Sequence, residues 1–136
     1  MKLAIVYWSG TGNTEAMANA IAEGAKEAGA EVDMMGPGEF DAAKANEYGA
    51  IAFGCPAMGS EVLEEMEFAP MWETVSGRIS GKRVALFGSY GWGDGEWMRT
   101  WEETSPCDVD ETCICHETPG PDEEAECRAL GARLVK

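Results

Sequence analysis

The sequence predicts a doubly wound α/β domain, a five-stranded parallel sheet in the order 2-1-3-4-5 with helices on both faces. Three observations predict it. Short apolar or alternating runs take turns with stretches of helical periodicity along the chain. One run, Ala50-Ile51-Ala52-Phe53-Gly54, is continuously apolar, as a parallel strand covered on both faces must be. Glycine-bearing loops follow the first, third and fourth strands, which this order makes neighbours. Those loops therefore converge on one rim, at the carboxyl ends of the strands.

The first strand is Leu3-Ala4-Ile5-Val6-Tyr7. It opens through Trp8-Ser9-Gly10-Thr11-Gly12-Asn13-Thr14 onto a helix with Met17, Ile21, Ala25 and Ala28 inward and Gly29 as C-cap. Glu31 to Met35 alternates and reads as a half-exposed second strand. Gly36-Pro37-Gly38 ends it, and Asp41-Ala42-Ala43-Lys44 reads as a short helix. The apolar third strand leads into the loop Cys55 to Glu61. Pro70 suits the first turn of a helix that turns Met71, Val75 and Ile79 inward. Val84-Ala85-Leu86-Phe87 is the fourth strand, followed by a loop from Gly88 to Glu96. Ser105-Pro106 cuts the next helix. The fifth strand falls within Glu111 to His116, and Asp108, Asp110 and Glu111 leave its register open. Pro119-Gly120-Pro121 then breaks the chain. A last helix begins near Asp122, buries Cys127, Leu130 and Leu134, and carries acids early and bases late, as its dipole favours.

A length of 136 residues fits one domain, 1–136. The net charge of −15 excludes nucleic acid and anionic membrane surfaces as partners and favours proteins with basic patches. No run approaches the ~20 apolar residues of a membrane span, and the first apolar segment is too short for a signal peptide. The five cysteines are odd in number and irregularly spaced, which suits reduced thiols and a cytoplasmic location.

The chemistry concentrates in the first loop. It offers the hydroxyls of Ser9, Thr11 and Thr14, the amide of Asn13, and Gly10 and Gly12 to turn the backbone. Backbone N–H groups and the positive end of a helix dipole meet there, so the natural guest is a phosphate. The loop lacks the Lys of a P-loop and the third Gly of a dinucleotide fingerprint, and no Lys or Arg occurs from Leu3 to Ala25. A phosphate monoester held by neutral donors is the expected ligand. On the same rim, Met58 and Trp92 offer a thioether and an indole as walls for a planar ring. Gly59 and Gly91 let backbone groups approach the ring edge, and Glu61 is placed to accept from a ring N–H. A phosphate loop beside an aromatic slot points to FMN.

These stretches resemble a known family. Ile5 to Glu15, Gly54-Cys55-Pro56-Ala57-Met58-Gly59-Ser60-Glu61 and Leu86-Phe87-Gly88-Ser89-Tyr90-Gly91-Trp92-Gly93 are similar to the signatures of short-chain flavodoxins of the clostridial type. The likeness is collinear to about Trp101 and returns in the last helix. The resemblance implies a flavodoxin-like fold and a low-potential one-electron carrier, cycling FMN between semiquinone and hydroquinone in place of ferredoxin. It implies a monomer working with ferredoxin- or flavodoxin-dependent oxidoreductases in anaerobic metabolism, with no substrate turnover of its own. It places Ser9, Gly10, Thr11, Gly12, Asn13 and Thr14 around the phosphate and Met58 and Trp92 against the isoalloxazine. The Gly59 backbone would meet flavin N5, Glu61 would meet N3, and Ser89, Tyr90 and Gly91 would line the pyrimidine edge and ribityl side. Pro56 and Ala57 complete the middle loop. Pro56 stands where relatives have a polar residue, which removes a donor to the phosphate.

Charge supports the carrier reading independently. Each like charge about 10 Å from the reduced ring costs roughly 1.7 kcal/mol at an effective dielectric of ~20, or roughly 70 mV for one electron. Glu61, Glu64, Glu65 and Glu67 flank the rim, with Asp94 and Glu96 opposite, where they would also steer basic partners. Two alternatives remain. An FMN-dependent NAD(P)H:quinone reductase would want a basic nicotinamide-phosphate pocket and inserted segments. A thiol or metal module would use Cys107, Cys113, Cys115, His116 and Cys127, which lack paired Cys-x-x-Cys spacing.

Overall fold

The computed structural model describes residues 1–59 and 62–136. Its elements in chain order are β1 (Lys2–Tyr7), α1 (Asn13–Glu27), β2 (Glu31–Met35), α2 (Ala42–Ala45), β3 (Ala50–Gly54), α3 (Phe68–Val75), β4 (Arg83–Tyr90), α4 (Glu96–Thr104), β5 (Glu111–His116) and α5 (Pro121–Leu134). The sheet is parallel throughout and runs β2-β1-β3-β4-β5.

Alternation along the central strands sorts their apolar residues onto two faces. Ala4, Val6, Ile51, Phe53, Val84 and Leu86 join the core under α3 and α4, where Phe68, Trp72, Trp97 and Trp101 pack. Leu3, Ile5, Ala50, Ala52, Ala85 and Phe87 join the core under α1 and α5, with Met17, Ile21, Cys127 and Leu130. Within that second layer two glycines let α1 and α5 touch backbone to backbone. A Cβ on Gly24 would lie 1.8 Å from the Arg128 carbonyl oxygen, and one on Gly131 would lie 2.1 Å from that of Ile21.

The structure corrects the sequence reading in three places. β4 does not stop at Phe87 but carries Gly88, Ser89 and Tyr90 in register with Ile114, Cys115 and His116. Across the sheet, Cys55 N–H donates to Phe87 O and Ala57 N–H to Ser89 O, each at 3.0 Å. Ser89 and Tyr90 thus stand on the sheet rather than on a loop. Ile79 lies beyond α3, after a 3-10 turn at Ser76–Arg78, and is buried all the same. At β5 the acids hold the register instead of breaking it. Asp110 N–H donates to Val84 O and its Oδ2 accepts from Val84 N–H, both at 2.8 Å, while Glu111 pairs with Arg133. Glu111 then stands opposite Ala85.

Candidate functional site

The loop from Trp8 to Gly12 is rooted by Trp8 N–H donating to Gly54 O at 3.0 Å. It ends at Gly12, whose φ of 95° is left-handed backbone that a side chain would strain, and α1 begins at the next residue. The first N–H groups of the helix have no partners within it. Here the loop's own hydroxyls answer them. Ser9 Oγ accepts from Gly12 N–H at 3.2 Å and from Glu15 N–H at 3.3 Å, and Thr11 Oγ1 accepts from Asn13 N–H at 3.4 Å. All three bonds are long, and a charged acceptor makes shorter, stronger ones. The donor set therefore fits a phosphate monoester.

A cavity of about 390 Å³ opens beside this loop. Gly10, Thr11 and Asn13 line it from the loop, Pro56, Ala57 and Met58 from the segment after β3, and Ser89, Tyr90 and Gly91 from the end of β4. Convergence of the three strand ends brings these residues together as the topology requires. Gly59 lines an adjoining hollow with Met58, Val62 and Glu64. Thr14 faces inward: it is fully buried, its Oγ1 3.4 Å from Ser89 Oγ. Trp92 does not line the cavity but stands at its edge, 62% exposed. Glu61 falls outside the described residues.

Sequence reasoning missed two lining residues, Trp8 and Glu117. Glu117 is the one non-glycine residue with positive φ among the described residues, at 59°. Its N–H donates to Tyr90 O at 2.8 Å, and His116 Nε2 lies 3.2 Å from Gly91 O. The register Tyr90↔His116 sets this segment at the rim.

Below the rim, Glu64 organises the approach to α3. Its carboxylate accepts from the N–H groups of Met66 and Glu67 at 2.7 Å and of Phe68 at 2.9 Å, and it is only 5% exposed. Burial pushes this carboxyl up, but the three N–H donors outweigh it and hold it below the ordinary range. Met58 N–H donates to Val62 O at 3.1 Å.

Two thiols touch the supports of the site: Cys55 Sγ accepts from Glu64 N–H at 3.4 Å, and Cys115 Sγ donates to Glu117 O at 3.5 Å. Burial pushes Cys55 up to about 12, which leaves it an inert thiol. Cys113 and Cys127 approach at 3.8 Å between sulfurs in the core under α5. Among the described residues no group of three or more His, Cys, Asp or Glu is arranged to hold a metal. No helix among them is long and apolar enough to cross a membrane.

A doubly wound sheet with an anion loop at its switch point, flanked by an apolar slot, defines a mononucleotide-binding α/β protein of the flavodoxin-like class. The family model described as flavodoxin matches residues 5–104. The chain is 46% identical to the flavodoxin of Clostridium beijerinckii over 134 residues, covering 96% of this chain and 97% of that one. It is 45% identical to the flavodoxin of Megasphaera elsdenii over 135 residues, covering 97% of each. The solution structure of the two-electron reduced Megasphaera protein superposes with a TM-score of 0.88, at 44% identity, covering 98% of both chains. The chain belongs to the flavodoxin family. It is a small FMN-binding electron carrier and not an enzyme. By contrast, likeness to an NAD(P)H dehydrogenase (quinone) of Rhodopseudomonas palustris, 52% over 50 residues, covers 35% of this chain and 25% of that protein. The quinone reductase reading is not favoured.

Proposed function

We propose that the chain, 1–136, works as one unit that binds FMN in the cavity at the strand ends and passes single electrons at low potential. The observation that carries this reading is the set of N–H groups at the start of α1, those of Gly12, Asn13 and Glu15, answered by long bonds to Ser9 and Thr11. FMN supplies the one-electron chemistry, and the chain's residues bind it, orient it and bias it. Ser9, Gly10, Thr11, Gly12, Asn13 and Thr14 form the phosphate seat, with Thr14 bracing it from behind. Pro56, Ala57, Met58 and Gly59 wall one side of the ring, with Glu61 meeting its polar edge. Ser89, Tyr90 and Gly91 form the opposite side, and Trp92, at the edge of the cavity, covers the ring from outside. No Lys or Arg is present from Leu3 to Ala25 to offset added charge, so each electron is held weakly and readily donated.

The surface around the slot suits a basic redox partner. Val62, Met66 and Trp92 are exposed apolar groups, Met66 at 84%, and Glu65, Glu67, Asp94 and Glu96 stand exposed in the same segments. Apolar contact with an acidic border favours ferredoxin- or flavodoxin-dependent oxidoreductases with basic patches, met by a monomer in the cytoplasm.

The test is the purified protein's spectrum. It should be yellow with one FMN per chain, and added NAD(P)H alone should neither bleach it nor drive turnover with quinones. Rapid NADPH oxidation without a second enzyme would overturn the carrier reading in favour of a reductase.

A further inference from the structure

Thr118, in the turn after β5, donates from Oγ1 to Asn13 Oδ1 at 3.1 Å across 105 residues of sequence. An Asn amide has one accepting end and one donating end. Asn13 lines the cavity beside the phosphate seat. With its oxygen taken by Thr118, the group it keeps for the cavity is the NH₂. The flipped amide would set an oxygen lone pair against a dianionic ligand, so the two orientations differ in sign at the place where charge is bound.

The turn that holds Thr118 is itself fixed from the sheet. Glu117 N–H donates to Tyr90 O at 2.8 Å, and the left-handed φ of Glu117 redirects the chain toward α1. His116 Nε2 meets the Gly91 carbonyl, an acceptor only, so that nitrogen carries the proton. β5 thereby reaches both the phosphate loop and the end of β4.

We propose that Thr118 is a positioning residue for the phosphate of the cofactor: its hydroxyl fixes the Asn13 amide with the NH₂ end toward the anion. The proposal rests on the reading of the Ser9–Thr14 loop as the phosphate seat.

The test uses the full-length protein loaded with FMN and, separately, with riboflavin, which lacks the phosphate. Dilution and the fluorescence of released flavin give each Kd. Thr118→Val should weaken FMN about three- to tenfold, the scale of one net hydrogen bond, and leave riboflavin unchanged. Thr118→Ser should restore FMN affinity. In an Asn13→Ala background Thr118→Val should add nothing, since the two act as one unit. Asn13→Ala weakening FMN selectively while Thr118→Val does nothing would overturn the proposal and leave the phosphate seat standing. Equal weakening of both flavins by Thr118→Val would reduce Thr118 to a structural part and also overturn it. Asn13→Ala without preference for FMN would overturn the phosphate seat, and the proposal with it.

Discussion

Thr14 and Ser89 meet 75 residues apart in sequence, hydroxyl to hydroxyl at 3.4 Å, with the Ser89 N–H directed at Thr14 Oγ1 at the same distance. Both are buried, Thr14 fully. The start of α1 and the end of β4 are therefore joined behind the cavity, by the protein itself. Two of the three walls hold their spacing through a contact that no ligand needs to make.

That contact should carry stability. Thr14→Val keeps the shape but strips the hydroxyl, leaving two buried polar groups on Ser89 short of a partner. The expected loss is about 1–3 kcal/mol, read by urea unfolding of the FMN-loaded protein at fixed free FMN. An unchanged midpoint would mean that the hydroxyls contribute nothing beyond packing.

Helix contact beneath the loop gives a second expectation. A Cβ on Gly131 would stand 2.1 Å from the Ile21 carbonyl oxygen, which is backbone and cannot yield alone. Gly131→Ala should force α5 away from α1 and cost about 1–3 kcal/mol, the scale of overpacking. Gly77→Ala, where a Cβ meets nothing within 4 Å, is the control and should leave the melting temperature nearly unchanged. Equal melting of both variants would show that α1 and α5 separate freely.

Most of this architecture was legible because local pattern and burial agree. Ala50 to Gly54 is apolar at every position and too short for a buried helix, which leaves a strand covered on both faces. The end of β4 was hidden because Gly88 and Ser89 have little intrinsic strand preference, and pairing with β5 supplies what they lack. Asp110 and Glu111 read as interruptions because an acid in a strand is costly until its partners are known. Those partners, Val84 N–H and Arg133, lie 26 and 22 residues away. The site followed the same division. Gly10, Thr11 and Met58 stand in recognisable loops and Asn13 directly follows one, whereas Glu117 and Thr118 reach the rim through the Tyr90↔His116 register.

Gly59 invites a third measurement. Its φ lies outside the left-handed region and a Cβ there meets nothing within 4 Å. Gly59→Ala should therefore leave oxidised FMN bound with nearly unchanged affinity. If its carbonyl turns toward flavin N5 when that atom gains a proton, the turned backbone favours glycine, and a side chain costs about 1 kcal/mol. The maximum fraction of one-electron-reduced flavin in an anaerobic titration should then fall, with the first potential lowered by roughly 40 mV. A Gly59→Ala protein that accumulates as much half-reduced flavin as the parent would rule out the turning backbone.

Glu64 gives the prediction with a pH signature. Its carboxylate accepts three backbone N–H groups, from Met66, Glu67 and Phe68, at the entrance to α3. Burial acts against the charge and the three donors act for it, and the donors win, so the folded carboxyl lies below its ordinary value. An unfolded Glu titrates near about 4.3. The stabilisation is therefore complete above that pH and is lost as the pH falls through the lower, folded value. Glu64→Gln keeps the size but offers a neutral oxygen and a misplaced NH₂ to donors that want an anion. At pH 7 it should destabilise the FMN-loaded protein by about 1–3 kcal/mol in urea unfolding. As the pH falls through that lower, folded value the parent carboxyl protonates too, and the two proteins should converge. A difference that stays constant from pH 7 downward would mean that Glu64 acts by its shape, and that its charge does not hold the N–H groups of Met66, Glu67 and Phe68 at the α3 entrance.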